Sequence, residues 1–403
     1  MDRREKIQVR VRTITLGIAA PHPLDAEVFD LAGPLLNMAQ AEFERAGYEV
    51  QSVRIALRPL FIDLAEWSAR ELLAYCAYLQ QMCQAHEIYY CSIGHIPANA
   101  PDALLRRISL LTDILVMNPA LSASAQIAST AFGLRAEAAL PAARVIYDLA
   151  RQTKEGLGNL FFAVTANCPP QTPFFPAAYH DHPDWGFSIG LQSAGLIDTA
   201  LQEVVQERGR GARALQNGAV TARLIGLLEA MGRPIEELCL AWREHDIAYF
   251  GLDLSPIPSG EESIAAAIEQ IGLGRFGEPG TVAAAAAITA ALKGTSLRAC
   301  GYCGLMLPAL ADSVISARLA EGQLSLDSLL LYSAVCGSGL DSIPIPGDTT
   351  PERIANILLD LGALATRLRK PLSAKLLPIP GKQAGELTTF TSPYLVNAPI
   401  LRV

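Results

Sequence analysis

The chain has 403 residues, of which 51% are hydrophobic and 18% charged, with a net charge of −8 and a pI near 5.4. Such a composition supports a large buried core, and with no Lys/Arg cluster interleaved with aromatics it argues against nucleic-acid binding. No apolar run reaches the roughly 20 residues that span a bilayer, so no membrane association is expected.

The basic start at Arg3, Arg4, Lys6, Arg10 and Arg12 is not followed by the apolar core of a signal peptide, and eight cysteines are scattered along the chain. A reducing cytoplasm is the expected setting. Residues 8–18 alternate polar and apolar as a strand does, and residues 25–46 carry apolar positions at helical spacing up to Gly47. A strand over 48–57, a helix over 67–87 and a buried strand over 88–97 follow. The pattern continues with a helix over 101–110, a strand over 112–117, helices over 123–132 and 136–153, and a strand over 160–166. A loop with five prolines spans Cys168–Pro183. Beyond it come a strand at 187–190, helices over 195–208 and 215–231, and strands near 247–254, 299–302, 340–345 and 373–379. Short apolar runs separated by helices imply crossover connections and a largely parallel sheet. With no linker or low-complexity stretch, one α/β barrel-like domain over 1–403 is expected, mostly parallel strands inside and helices outside. Alanine-rich helices and a positive mean hydropathy suggest a homodimer or a larger assembly.

Parallel sheets place ligands at strand carboxyl ends, so the strand-to-loop junctions carry the chemical reading. The first holds His180, Asp181 and His182, either metal ligands or solvated loop histidines. The second places Asp253 and Ser255 at a strand end. There Ser259 and Glu262 have capping-box spacing, whereas Asp253 between apolar neighbours needs a partner. The third, LYSAVCGSGLDSIPIPGDT over 331–349, presents Cys336, Asp341 and Asp348 in a glycine-rich loop. The fourth has Lys375 interrupting an apolar strand and Lys382 after a Pro-Gly turn.

These groups point to acid/base chemistry by Asp341, Cys336, His180 and Lys375, with Asp253, Ser255, Asp348 and Lys382 holding a small polar or anionic metabolite. Asp253, Asp341 and Asp348 would be the ligands of a divalent cation. Buried ion pairs that only hold the fold together are the competing reading, as is metabolite binding without turnover. Two further motifs carry less. GLGRFG at 272–277 matches G-x-G-x-x-G but follows a helix, so it lacks the context of a dinucleotide site. Cys300 and Cys303 form a single C-x-x-C in an apolar segment, read as buried thiols rather than a redox pair.

Several segments together resemble the family of proteins of unknown function numbered 711: RTITLGI, GYEVQSVRIA, TPFFPAAYH, FSIGLQSA, GLDLSPIPS, CGYCGLMLPAL, LYSAVCGSGLDSIPIPGD and KPLSAKLLPIPGKQAGE. They run in order across nearly the whole chain. The resemblance implies the ten-stranded α/β barrel of pyruvate formate-lyase and other glycyl-radical enzymes, but no assigned reaction. It also implies that a radical enzyme would carry an Arg-Val-x-Gly-aromatic loop near its C-terminus. Here the C-terminal glycines lie in IPGKQAGE instead, so no glycyl radical is expected and Cys336, nearest to a thiyl position, needs another role.

Overall fold

The computed structural model describes residues 10–242, 246–258 and 262–403. Ser259 of the expected capping box lies outside them, and the helix Ile264–Gln270 is capped instead by Ser263, whose hydroxyl accepts from the Ala266 amide. Eleven strands form one sheet. They are β1 (Arg10–Gly17), β2 (Glu49–Val50), β3 (Val53–Ala56), β4 (Cys91–Ile96), β5 (Leu121–Ser129) and β6 (Gly133–Leu134), followed by β7 (Phe162–Ala166), β8 (Gly186–Gln192), β9 (Ala248–Asp253), β10 (Gly339–Pro346) and β11 (Leu372–Ile379). Their order is β10-β11-β7-β5-β4-β3-β1-β8-β9, with β2 beside β1 and β6 beside β5.

The sheet is mostly parallel, but it is built from two opposed blocks. β1, β3, β4, β5 and β7 run parallel to one another. β8 pairs with β9 and β10 with β11 in parallel as well. The blocks meet at two antiparallel seams, β1 with β8 and β7 with β11. The strand carboxyl ends therefore do not all face one rim, because those of one block lie at the amino ends of the other.

The ladder itself leaves β9 and β10 unpaired with each other. Between them runs 298–309, bonded to both sides. Leu252 N donates to Arg298 O at 2.8 Å and Cys300 N to Leu252 O at 3.0 Å; Gly337 N donates to Leu305 O at 2.8 Å and Ala309 N to Asp341 O at 3.3 Å. The sequence-predicted strand at 299–302 is thus only a bridge at Ala299.

Alternation explains which face each strand turns where. In β1, Val11, Ile14 and Leu16 join the main core with helix residues such as Phe29, Leu36 and Phe43. Thr13 and Thr15 take the other face and share a contact at 3.2 Å between their hydroxyls. That second face is covered by 168–180 and 300–306, whose Cys168, Phe174, Tyr179, Tyr302 and Met306 form a separate apolar cluster. Two expected elements exchange identity: 110–117 is a helix and 121–129 is the strand β5. LLTDILVM is apolar enough for either state, whereas the Ser/Ala alternation of LSASAQIAS has the period of a strand, a signal that its alanine content masked. No helix among the described residues is long and apolar enough to cross a membrane.

Candidate functional site

The charged residues of the inner face gather around Asp341. Its carboxylate lies 2.6 Å from Lys375 Nζ, with the two side chains only 5% and 12% exposed, and accepts from the Ser342 hydroxyl at 3.0 Å. Register is lost between Leu340 and Ile343, and Ser342 sits at φ 53. A second irregularity leaves Arg12 of β1 without a partner between Leu191 and Gly190 of β8. Bulges re-aim side chains, and here they bring Arg12 and Asp341 close enough that the Asp341 charge favours the Arg12 guanidinium.

Arg54 of β3 completes the group. Its guanidinium carbon is 4.9 Å from the centre of the Tyr90 ring and 5.0 Å from that of Phe175, and its Nε donates to the Ser52 hydroxyl at 3.0 Å. Stacked faces leave the in-plane N–H edges of a guanidinium available for an acceptor. Burial lowers both arginines, Arg54 to about 9 with the nearby Arg12 charge pulling the same way; a guanidinium keeps its proton in proteins. Among the described residues no carboxylate lies within 4.0 Å of either guanidinium, whereas Lys375 is matched by Asp341. Lys375 and Arg12 therefore share one carboxylate and Arg54 adjoins Arg12, with the Phe174 ring centre 5.0 Å from Lys375 Nζ. Such a site attracts anions. Neither arginine was singled out as a site residue from the sequence. The available signal was a charged side chain inside a strand whose neighbours are buried.

Asp253 is placed by β9 near the same interior but is fully engaged. Its carboxylate accepts from Ser255 N at 2.9 Å and Ser255 Oγ at 2.5 Å, and from the amides of Tyr302 at 3.2 Å and Cys303 at 3.1 Å. Burial nonetheless lifts its carboxyl above the ordinary range. Ser255 Oγ also accepts from Gly304 N at 3.1 Å, so the pair pins the turn at 301–304. A side chain at Gly301 would meet the Asp253 carboxylate. Asp253 reaches the Asp341 group through that turn: Tyr302 packs edge-on against Phe174, with ring centres 5.1 Å apart, and Phe174 lies under Lys375.

The other expected residues lie elsewhere. Asp348 is exposed beyond the far end of β10, hydrogen-bonded to Gln383 at 3.1 Å, and Lys382 lies near it after β11. The five residues of strand from Asp341 to Pro346 span about 16 Å, and Asp348 lies in the turn beyond them. Asp253, Asp341 and Asp348 therefore do not form one cation-ligand set, and the described residues contain no cluster of three His, Cys, Asp or Glu able to hold a metal. Cys336 is buried in the main core, where burial raises its thiol. Its carbonyl receives Lys370 Nζ, which also donates to Ser333 O at 2.9 Å and Ala334 O at 3.3 Å, matching a cation to the end of the helix Leu326–Ser333. Cys300 and Cys303 border a cavity of about 450 Å³ with Gln171, His182, Phe250 and Arg298. Burial pushes both thiols up, which keeps them protonated and poorly nucleophilic at neutral pH.

His180 is completely buried, with Nε2 at 3.0 Å from His182 O and 3.1 Å from Asp184 O. Those acceptors assign the proton to Nε2, leaving Nδ1 against the backbone of Gly17, where a Cβ would overlap it. Burial pulls His180 down to about 4, and does the same to His22 and His95. The fold therefore holds three neutral imidazoles that take up protons near pH 6.5 once unfolded. Between about pH 6.5 and pH 4 the unfolded chain binds more protons, so this part of the stability is present above pH 6.5 and is lost as pH falls. We expect the urea midpoint to drop steeply over that window. In His95→Gln the drop should be shallower; an unchanged slope would contradict the assignment.

Taken together, the chain is an α/β protein whose sheet interior holds a half-buried cationic group. It belongs to the family described as uncharacterised ACR (DUF711), which matches residues 4–391. It is 30% identical to the UPF0210 protein of Pyrobaculum arsenaticum, over 94% of this chain and 87% of that one. It is 28% identical to the UPF0210 protein of Syntrophobacter fumaroxidans, over 94% and 88% of the two chains. The UPF0210 protein of Desulforudis audaxviator is 27% identical, over 98% and 90%. No specific function is established for these relatives.

Proposed function

We propose that this protein binds a small anionic metabolite in the sheet interior and acts on it by non-radical acid/base chemistry, with Arg12 and Arg54 holding the anion and Lys375 and Asp341 beside it. The observation that carries this reading is the pair of stacked or bulge-placed guanidinium groups with no close carboxylate among the described residues. Buried cations are costly unless matched, and an anionic ligand supplies the match. Asp341 and Lys375, in contact at 2.6 Å, are within proton-transfer distance of each other and of a ligand that parts them.

Metabolite binding without turnover is the second reading. It is favoured by the same contact, because a carboxylate already engaged by Lys375 and Ser342 is locked rather than poised. For the fold, 298–309 would add a tenth strand to the nine of the main path and close the sheet into a barrel, supported by its hydrogen bonds to Leu252 on one side and to Gly337 and Asp341 on the other.

Arg54→Gln is the direct test. Stabilisation by inorganic phosphate, followed as a shift in melting temperature, should need at least about tenfold more anion in the variant than in the parent, near 1.4 kcal/mol. An identical phosphate response in both proteins would remove Arg54 from the site.

A further inference from the structure

A row of unpartnered polar groups continues from the cation cluster along the inner face. His95 of β4 lies opposite Ser124 of β5, and Thr165 of β7 lies opposite both Gln126 of β5 and Ser373 of β11. His95 Nδ1, Ser124 Oγ, Thr165 Oγ1 and the Tyr302 hydroxyl are buried and lack a hydrogen-bond partner among the described residues. Their residues are only 8%, 1%, 1% and 2% exposed. Buried polar groups are almost always paired, so a run of four without partners points to a missing acceptor and donor set.

The row is joined to the cations. Ser373 and Lys375 lie on the same face two residues apart, about 7 Å. Tyr302 packs on Phe174, the ring beneath Lys375. Register sets Lys375 level with Ser124 and His95 across β7, so the row and the charges adjoin. Arg12, Arg54 and Lys375 exceed Asp341 by two.

Resting on the anionic-ligand reading above, we infer that the ligand is a phosphate monoester of a small polyol, its phosphate between Arg12 and Arg54 and its hydroxyls along Thr165, Ser124, Tyr302 and His95. A phosphate monoester carries a charge of about −1.5 to −2 on a single centre at neutral pH, which matches a charge excess of two. A dicarboxylate would divide its charge and leave the row unpaired. Ser, Thr and Tyr hydroxyls both donate and accept, the pairing that sugar hydroxyls require.

Calorimetry on the full chain tests this with inorganic phosphate, succinate, ribose, and a panel of glycerol 3-phosphate, ribose 5-phosphate and glucose 6-phosphate. At least one panel member should bind ten or more times tighter than inorganic phosphate, with free ribose showing no binding. Thr165→Val should erase that advantage and leave the affinity for inorganic phosphate unchanged, whereas Arg54→Gln should weaken both. Ser124→Ala provides the same readout if Thr165→Val folds poorly. Equal binding of inorganic phosphate and the whole panel, or succinate as the tightest ligand, overturns the polyol phosphate and leaves the anion site standing. A parent protein that binds no anion overturns both.

Discussion

Asp341→Asn is expected to destabilise the protein by roughly 3 kcal/mol, the scale seen when one partner of a buried ion pair is removed. The amide is nearly the size of the carboxylate, so the loss is electrostatic rather than a matter of packing. Lys375 loses its contact at 2.6 Å, and Arg12 loses the nearby charge that favours it. An anion placed among the three cations replaces the missing charge. Phosphate should therefore raise the urea midpoint of Asp341→Asn by more than it raises that of the parent, a difference from which general salt effects cancel. Equal stability of the two proteins, or equal responses to phosphate, would show that Asp341 does not balance the cluster.

Gly304→Ala should cost at least about 3 kcal/mol by forced overpacking. Two backbones cross there: a Cβ on Gly304 would overlap the Cα of Gly337, and one on Gly337 would overlap Gly304. Because the obstacle is main chain, no side-chain rotation relieves it. The damage should spread to the turn held by Asp253 and Ser255 and to the hydrogen bond from Gly337 N to Leu305 O. Faster amide exchange in both β9 and β10 is the expected sign if 298–309 closes the sheet between them. Exchange confined to one of the two strands would contradict that closure. Gly226→Ala is the control, lying in the helix Ala219–Leu240 with open space around its Cα, where alanine should stabilise by about 0.5–1 kcal/mol.

Local patterning made much of the architecture readable. Alternation in RVRTITLG and helical spacing up to Gly47 are consequences of side-chain geometry within a few residues, and the strand β1 and the helix Ala26–Arg45 follow them. A carboxylate set between apolar neighbours at Asp253 required partners, and it has four donors. A lysine interrupting the apolar strand at Lys375 required an anion, and Asp341 is beside it. Burial cost alone is enough to read both residues from sequence.

The same local information left other features open. The helix at 110–117 shows that a short apolar run does not choose between helix and strand, because the choice depends on which face its neighbours cover, whereas the alternation at 121–129 was legible as a strand. Strand direction across the seams was also beyond reach. β1 and β8 pair residues such as Ile14 and Ile189, and nothing within either segment states that they meet antiparallel. That direction decides which strand ends share a rim, while the lengths of β10 and β11 carry Asp348 and Lys382 away from Asp341 and the bulges bring Arg12 to it. Burial and partner demand are properties of a residue and its neighbours in the chain, and the sequence determines them. Which charges share one interior depends on long-range pairing and on bulges at Arg12 and Asp341, and only the tertiary structure settles that.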